Sequence, residues 1–368
     1  MHIGLSMECD YPPHLNQRQA FDEAFKMARV AEDLAFDGVW LAERHFATPT
    51  GTGGVPSIVS APMILATAIA ERTQRIRVGT GVLVLPLGHP IRMAEEVATL
   101  DNICEGRFDL GVGRSGFTRS YEGYDLPYEE SRNRFGEYLN VMKLAWTEDT
   151  FSHEGDTYTF KDVSVIPKPY QKPYPPIWAA ATTKPTFELF GEMGLDILVG
   201  LRGMSVIDLA DAIVDYRSVN PDGKIALRIP IYVADSMEQA HSEPQESAMK
   251  AYARLQQAFT GSVGRSGTES SEERAERGER LSAITYDDLL RDRLAYGTPD
   301  VVTERLIELR DTLGLSGFIM ESNVGGGIPS EQVLNSVNLF GEEVAPKIRQ
   351  TTNVNPLRRD GIVNRSRS

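Results

Sequence analysis

Cysteine is nearly absent from this chain: Cys9 and Cys104 are the only two in 368 residues. A disulfide framework and a cysteine-type zinc site are thereby excluded. Histidine is also sparse. His2, His14, His153 and His241 have no partners at metal-ligand spacing, and no H-x-x-x-H or Cys/His cluster occurs, so a metal enzyme is not expected. Basic charge is in deficit, 38 Lys and Arg against 52 Asp and Glu, for a net −14. That excludes a general nucleic-acid binder, which needs a basic face, but leaves room for a local basic pocket. No apolar run reaches the ~20 residues needed to span a bilayer. The N-terminus, Met1 to Met7, lacks a basic region followed by a longer apolar segment, so a reducing, cytoplasmic setting is expected.

What is present is alternation. Short apolar runs at Ile3–Met7, Gly38–Ala42, Ile76–Leu85, Phe108–Val112, Ile177–Ala181, Ile197–Leu201, Ile229–Ala234 and Phe318–Glu321 read as strands. Between them lie segments of helical period: Gln19–Phe36, Ser57–Glu71, Pro90–Ile103, Ser131–Trp146, Thr186–Met193, Val206–Tyr216 and Val301–Leu313. Pro90 and Pro299 suit first turns, and Gly194 and Gly314 suit helix ends. Eight strand–helix units favour an α/β fold of the closed (β/α)8 TIM-barrel kind, one domain over residues 1–350.

Three segments break the rhythm. Residues 151–176 carry alternating runs at Thr157–Phe160 and Val163–Ile166, then five prolines, and read as a hairpin insertion with an extended return. A polar stretch from Gly261 through Arg280, continuing to residue 285, reads as a long mobile loop or lid. Residues 351–368 read as a polar C-terminal tail.

Chemistry is expected where strands end. Glu43, Arg44 and His45 follow the second strand, at the carboxyl end where barrel active sites collect. Taken alone, these three residues equally describe a salt-bridged loop. Gly111-Val112-Gly113-Arg114-Ser115-Gly116 has dinucleotide-fingerprint spacing, but a loop-like segment, Phe117 to Tyr124, follows instead of a helix. A glycine-opened strand end admitting a flat ring or phosphate, with Arg114 as anion partner, is the better reading. Thr182 and Thr183 join the fifth strand to a helix start, a place for phosphate or simply an ordinary cap. Arg132, at another helix start, gains more from an anion than from its own helix, although an ion pair with Glu129 or Glu130 explains it equally well. Gly79 and Gly81 mark a bulge or crowding inside the barrel.

Together these segments resemble the bacterial luciferase family of flavin-dependent monooxygenases, from Met1 to about Arg349. The markers are Phe36–Phe46, Gly79–Pro86, His89–Glu96, Gly106-Arg107-Phe108 and Gly297-Thr298-Pro299, in that order and spacing. The resemblance implies reduced flavin mononucleotide (FMN) at the barrel mouth, its phosphate surrounded by Arg114, Arg132, Thr183 and Thr186, with Ala181 and Thr182 adjacent. It implies a cis peptide at Gly81–Val82 beneath the flavin ring. Dioxygen would react to a C4a-peroxyflavin and oxidise a small organic substrate such as an aldehyde, with a separate NAD(P)H:flavin reductase supplying the cofactor. His45 and Arg44 would be the catalytic pair, and Met7, Phe46, Phe117 and Tyr121 the substrate pocket. A homodimer is the family precedent.

The chain departs from luciferase at three places. Arg44 replaces the first of two adjacent histidines, Gly113 the reactive cysteine, and Phe117 a tyrosine near the ring. A guanidinium cannot act as a base at neutral pH. These changes point away from light emission and leave general flavin monooxygenation intact. The alternatives are hydride transfer with the deazaflavin F420 and a non-catalytic flavin-binding accessory subunit.

Overall fold

The structure is a computed structural model; it describes residues 1–10, 15–46, 57–260, 278–279 and 283–350. The polar loop and the C-terminal tail read from the sequence fall almost entirely outside those residues.

Eight parallel strands close into a barrel. They are β1 (His2–Met7), β2 (Gly38–Leu41), β3 (Arg77–Thr80), β5 (Phe108–Gly113), β8 (Ile177–Ala180), β9 (Asp196–Gly200), β10 (Ile225–Val233) and β12 (Gly317–Glu321). They pair in that order, and β12 returns to β1 with Ile3 opposite Phe318. A two-residue strand, β4 (Leu83–Val84), extends the β3 connection along β5. β11 (Ala295–Gly297) pairs with the upper half of β10. β6 (Phe151–Glu154) and β7 (Thr159–Val163) form the antiparallel hairpin insertion.

Helices cover the barrel: α1 (Gln17–Asp33), α2 (Pro62–Ala70), α3 (Pro90–Ile103), α4 (Thr118–Gly123), α5 (Ser131–Thr147), α6 (Lys184–Glu192), α7 (Val206–Val219) and α8 (Met237–Thr260). The segments 286–292, 299–313, 330–339 and 345–350 are also helical. Helix starts follow local chemistry. Asn16 and Gln19 cap α1 reciprocally, each backbone N–H donating 2.9 Å to the other's side chain. Gly314 closes Pro299–Leu313 at φ 61°, a left-handed conformation that glycine adopts freely.

The alternation of strand side chains sorts two cores. Odd positions of β1 (Ile3, Leu5, Met7) and Val39 and Leu41 of β2 join the large outer core beneath the helices. Trp40, Trp178, Leu198, Ala226 and Ile319, one from each of five strands, form a small apolar layer inside the barrel. The rings of Trp40 and Trp178 meet edge to face, centroids 5.8 Å apart. A Cβ on Gly79 would stand 2.8 Å from the Trp40 ring, so crowding inside the barrel requires this glycine.

Some sequence expectations need correction. The Ile76–Leu85 run is two strands, separated at Gly81–Val82, which is cis as the resemblance implies. The seventh strand starts at Ile225 rather than Ile229, because Arg228 interrupts the apolar run while facing the barrel mouth. The segment after Phe117 is not all loop, since α4 follows directly. The hairpin strands lie at Phe151–Glu154 and Thr159–Val163, with Val163–Ile166 leading out of the hairpin. The helix read from Ser57 begins at Pro62, because Ser57 bridges to Asp10 instead.

Candidate active site

Above the inner apolar layer, the strand ends open into a cavity of about 650 Å³, within the ~300–1,000 Å³ range of ligand pockets. Its wall carries five guanidiniums, Arg44, Arg114, Arg132, Arg202 and Arg228, against two carboxylates, Glu8 and Glu43. In a chain of net charge −14, that concentration of cations sets the chemistry of the site.

One end of the cavity is built by β5, α5, the 180–183 turn and α6. Arg114 leaves β5 and donates to Ser131 Oγ at 3.1 Å, its guanidinium 5.9 Å from the Tyr128 ring centroid. Arg132 is exposed at the start of α5 and lines the cavity. The expected rival partner, Glu130, is taken by Arg134 at 3.2 Å. Thr182, Thr183 and Thr186 also line this end. Thr186 Oγ1 donates to the Thr183 carbonyl at 2.6 Å and so holds the turn. Thr183 is the N-cap of α6 and faces Thr186 in a capping-box arrangement, but its buried Oγ1 makes no hydrogen bond of normal geometry. A buried hydroxyl without a partner costs free energy unless a ligand supplies one. Two guanidiniums and this hydroxyl are donors of the kind a phosphate requires, so these residues fit the phosphate of FMN. Ala181 faces the outer core instead, because side-chain alternation along β8 sends it away from the cavity.

The glycine motif has a different cause from the one expected. A Cβ on Gly111 would lie 1.7 Å from the Thr80 carbonyl oxygen, and one on Gly113 2.5 Å from Val82 Cγ2. These glycines admit the neighbouring chain at Thr80–Val82 rather than a ligand. Gly81, Val82, Gly113 and Gly116 then form one stretch of cavity wall.

The second-strand segment divides its three ionisable residues. Arg44 and Glu43 line the cavity; His45 does not. His45 Nε2 lies 2.7 Å from Glu43 Oε1, and its Nδ1 is 3.3 Å from the Tyr124 hydroxyl. Glu43 Oε2 also accepts from the Val84 amide at 2.7 Å, which ties this loop to β4. The expected substrate-pocket residues separate likewise. Phe117 lines the cavity, whereas Phe46 packs on His45 and Tyr124 outside it. Met7 points into the outer core, because inward positions on β1 are the even ones. Tyr121 is buried against Tyr128, its hydroxyl donating to the Arg114 carbonyl, where it supports the Arg114 backbone.

Sequence reasoning missed Glu8, Arg202, Arg228 and Glu321. They form an unbroken charge chain with Arg44: Arg44 to Glu8 at 2.7 Å, Glu8 to Arg228, Arg228 to Glu321 at 3.2 Å, and Glu321 to Arg202. The signal was present. Arg228 and Glu321 each stand two residues beyond an inner-layer residue, Ala226 and Ile319, and so on the same face of the strand. Burial opposes ionisation of Glu8, but Arg228, Arg44 and Arg202 outweigh it and bring its pKa down to about 2. Asp10, beside it, is pushed up to about 7 by burial and by the charge of Glu8.

A family model for luciferase-like monooxygenases matches residues 1–316. The oxygenase component of a flavin-dependent trigonelline monooxygenase from Acinetobacter baylyi is 30% identical over 187 residues, 50% of this chain and 49% of that protein. The chain thus spans about half the length of that curated relative. Solved structures share the barrel. The oxygenating constituent of 3,6-diketocamphane monooxygenase from Pseudomonas putida, in complex with FMN, superposes with a TM-score of 0.76 at 20% identity, covering 97% of this chain and 100% of that one. An F420-dependent secondary alcohol dehydrogenase has a TM-score of 0.70 at 16% identity, covering 95% and 99%. The match runs over well more than half of the chain, and the chain belongs to the luciferase-like monooxygenase family, as a flavin-dependent monooxygenase.

Proposed function

We propose that this protein is the oxygenase of a two-component system. It takes reduced FMN from a separate NAD(P)H:flavin reductase and uses dioxygen to oxidise a small organic molecule. The observation that carries this reading is the buried, unpartnered Thr183 hydroxyl in the same cavity wall as Arg114 and Arg132. Reduced FMN, when bound, supplies the electrons that activate dioxygen and lets one oxygen atom reach the substrate.

The chain's own residues do the rest. Arg114, Arg132, Thr182 and Thr183 bind the phosphate, and Thr186 fixes the Thr183 carbonyl. Gly81 and Val82 would meet the flat ring where no bulky side chain intervenes. Leu189, Phe190, Met193 and Met204 line the cavity and exclude water from it. Glu43 Oε1 is hydrogen-bonded to His45 Nε2, so Glu43 presents an acid–base group to the cavity and His45 holds it from behind. Arg44 places positive charge on the cavity wall. The working unit is read as a homodimer, checked by sedimentation equilibrium.

The test is oxygen uptake by the purified protein with a flavin reductase, NAD(P)H and FMN. Substrate-dependent uptake with oxygen found in the product supports the proposal. Hydride transfer with F420 remains the second reading because an F420-dependent enzyme shares this barrel. Tight binding of F420 with none of reduced FMN would favour that reading.

A further inference from the structure

The charge chain at the inner end of the cavity is unbalanced. Its order is Arg44, Glu8, Arg228, Glu321, Arg202: three guanidiniums for two carboxylates, with cations at both ends. The carboxylates are deeply buried, side chains 11% exposed for Glu8 and 3% for Glu321, while Arg44 and Arg202 are each 38% exposed. Both terminal guanidiniums line the cavity. Nearby groups do not remove the excess. Asp10 is pushed up to about 7 by burial and by Glu8, so it is only part ionised at neutral pH, and Arg254 adds a further cation beside it. Glu43, the other carboxylate of the wall, is occupied by His45 and the Val84 amide. The phosphate-binding arginines, Arg114 and Arg132, come from β5 and α5, not from the strands that carry this chain.

We propose that the substrate is a carboxylate, received by the terminal guanidiniums Arg44 and Arg202. This rests on reading the cavity as a monooxygenase site and names the substrate class for it. A guanidinium presents parallel N–H donors that match the two oxygens of a carboxylate, which a neutral aldehyde or ketone cannot use. Arg228 keeps the site intact when a terminal arginine is removed, because it already pairs with both glutamates.

The test is calorimetric titration of the FMN-loaded protein with benzoate, phenylacetate and octanoate, each against its primary amide. At least one acid should bind about tenfold or more tighter than its amide, as expected for a charge-assisted hydrogen bond. Arg202→Gln, and separately Arg44→Gln, should shrink that preference while FMN binding, titrated in the same samples, is retained. The proposal is overturned if no acid binds, if acids and amides bind alike, or if the preference survives both substitutions. It is also overturned if the substitutions weaken reduced FMN and leave acid binding unchanged, since the cations would then serve the flavin ring. Failure of FMN itself to bind contradicts the monooxygenase reading instead.

Discussion

His45 Nε2 lies 2.7 Å from Oε1 of Glu43, and of the two only Glu43 reaches the cavity wall. On the proposed reading, the acid–base group presented to a substrate is therefore the carboxylate. Glu43→Gln should retain FMN and lower kcat by about 10²-fold or more, the usual weight of a general acid or base. His45→Ala should lower kcat less, with KM and FMN affinity held. Steady-state kinetics with parallel FMN titrations check both; equal loss of FMN binding in either variant contradicts the assignment.

Thr183 offers a sharper test of the phosphate site. Its hydroxyl is buried without a partner, so Thr183→Val should leave the ligand-free protein as stable or more stable. The same change should weaken FMN by about 0.5–3 kcal/mol, according to how charged the lost hydrogen bond is. Thermal melts with and without FMN separate the two effects. A valine variant that is destabilised without ligand would show that the hydroxyl has a structural partner.

Arg114→Ala should weaken FMN by about 1.5–3 kcal/mol, the range for hydrogen bonds to charged groups. Fluorescence titration measures it directly. Unchanged affinity removes Arg114 from the phosphate site.

Glu8 makes stability depend on acid. Its pKa falls from 4.5 to about 2 in the folded state, so its stabilising contribution is present above 4.5 and disappears as pH falls through about 2. The loss is of order 3 kcal/mol at about 1.4 kcal/mol per pKa unit. Glu8→Gln should be less stable at neutral pH and show a flatter decline over that interval. Denaturant melts from pH 6 down to about 2 read both slopes; parallel slopes would contradict the pairing.

The eight barrel strands were legible because each is a short apolar run buried on both faces. The resemblance to the luciferase family rode on that order, and the family match agrees with it. The direction in which individual residues point was less legible. Met7 and Ala181 look suitable for a cavity by position, yet strand alternation turns both into the helical layer. Arg228 was overlooked because a lone charge ends an apolar run when one reads composition alone. It becomes legible once the inner face of β10 is followed from Ala226. The glycines at 111 and 113 suggested a ligand, but the adjoining strand fills the space they leave, a tertiary contact no local pattern encodes.

The most direct measurement compares FMN with riboflavin, which has the same ring and no phosphate, by equilibrium dialysis against the purified protein. The account predicts that FMN binds far more tightly and that the double substitution Arg114→Ala/Arg132→Ala removes the difference. Equal binding of the two flavins, or a preference that survives the loss of both arginines, would contradict it.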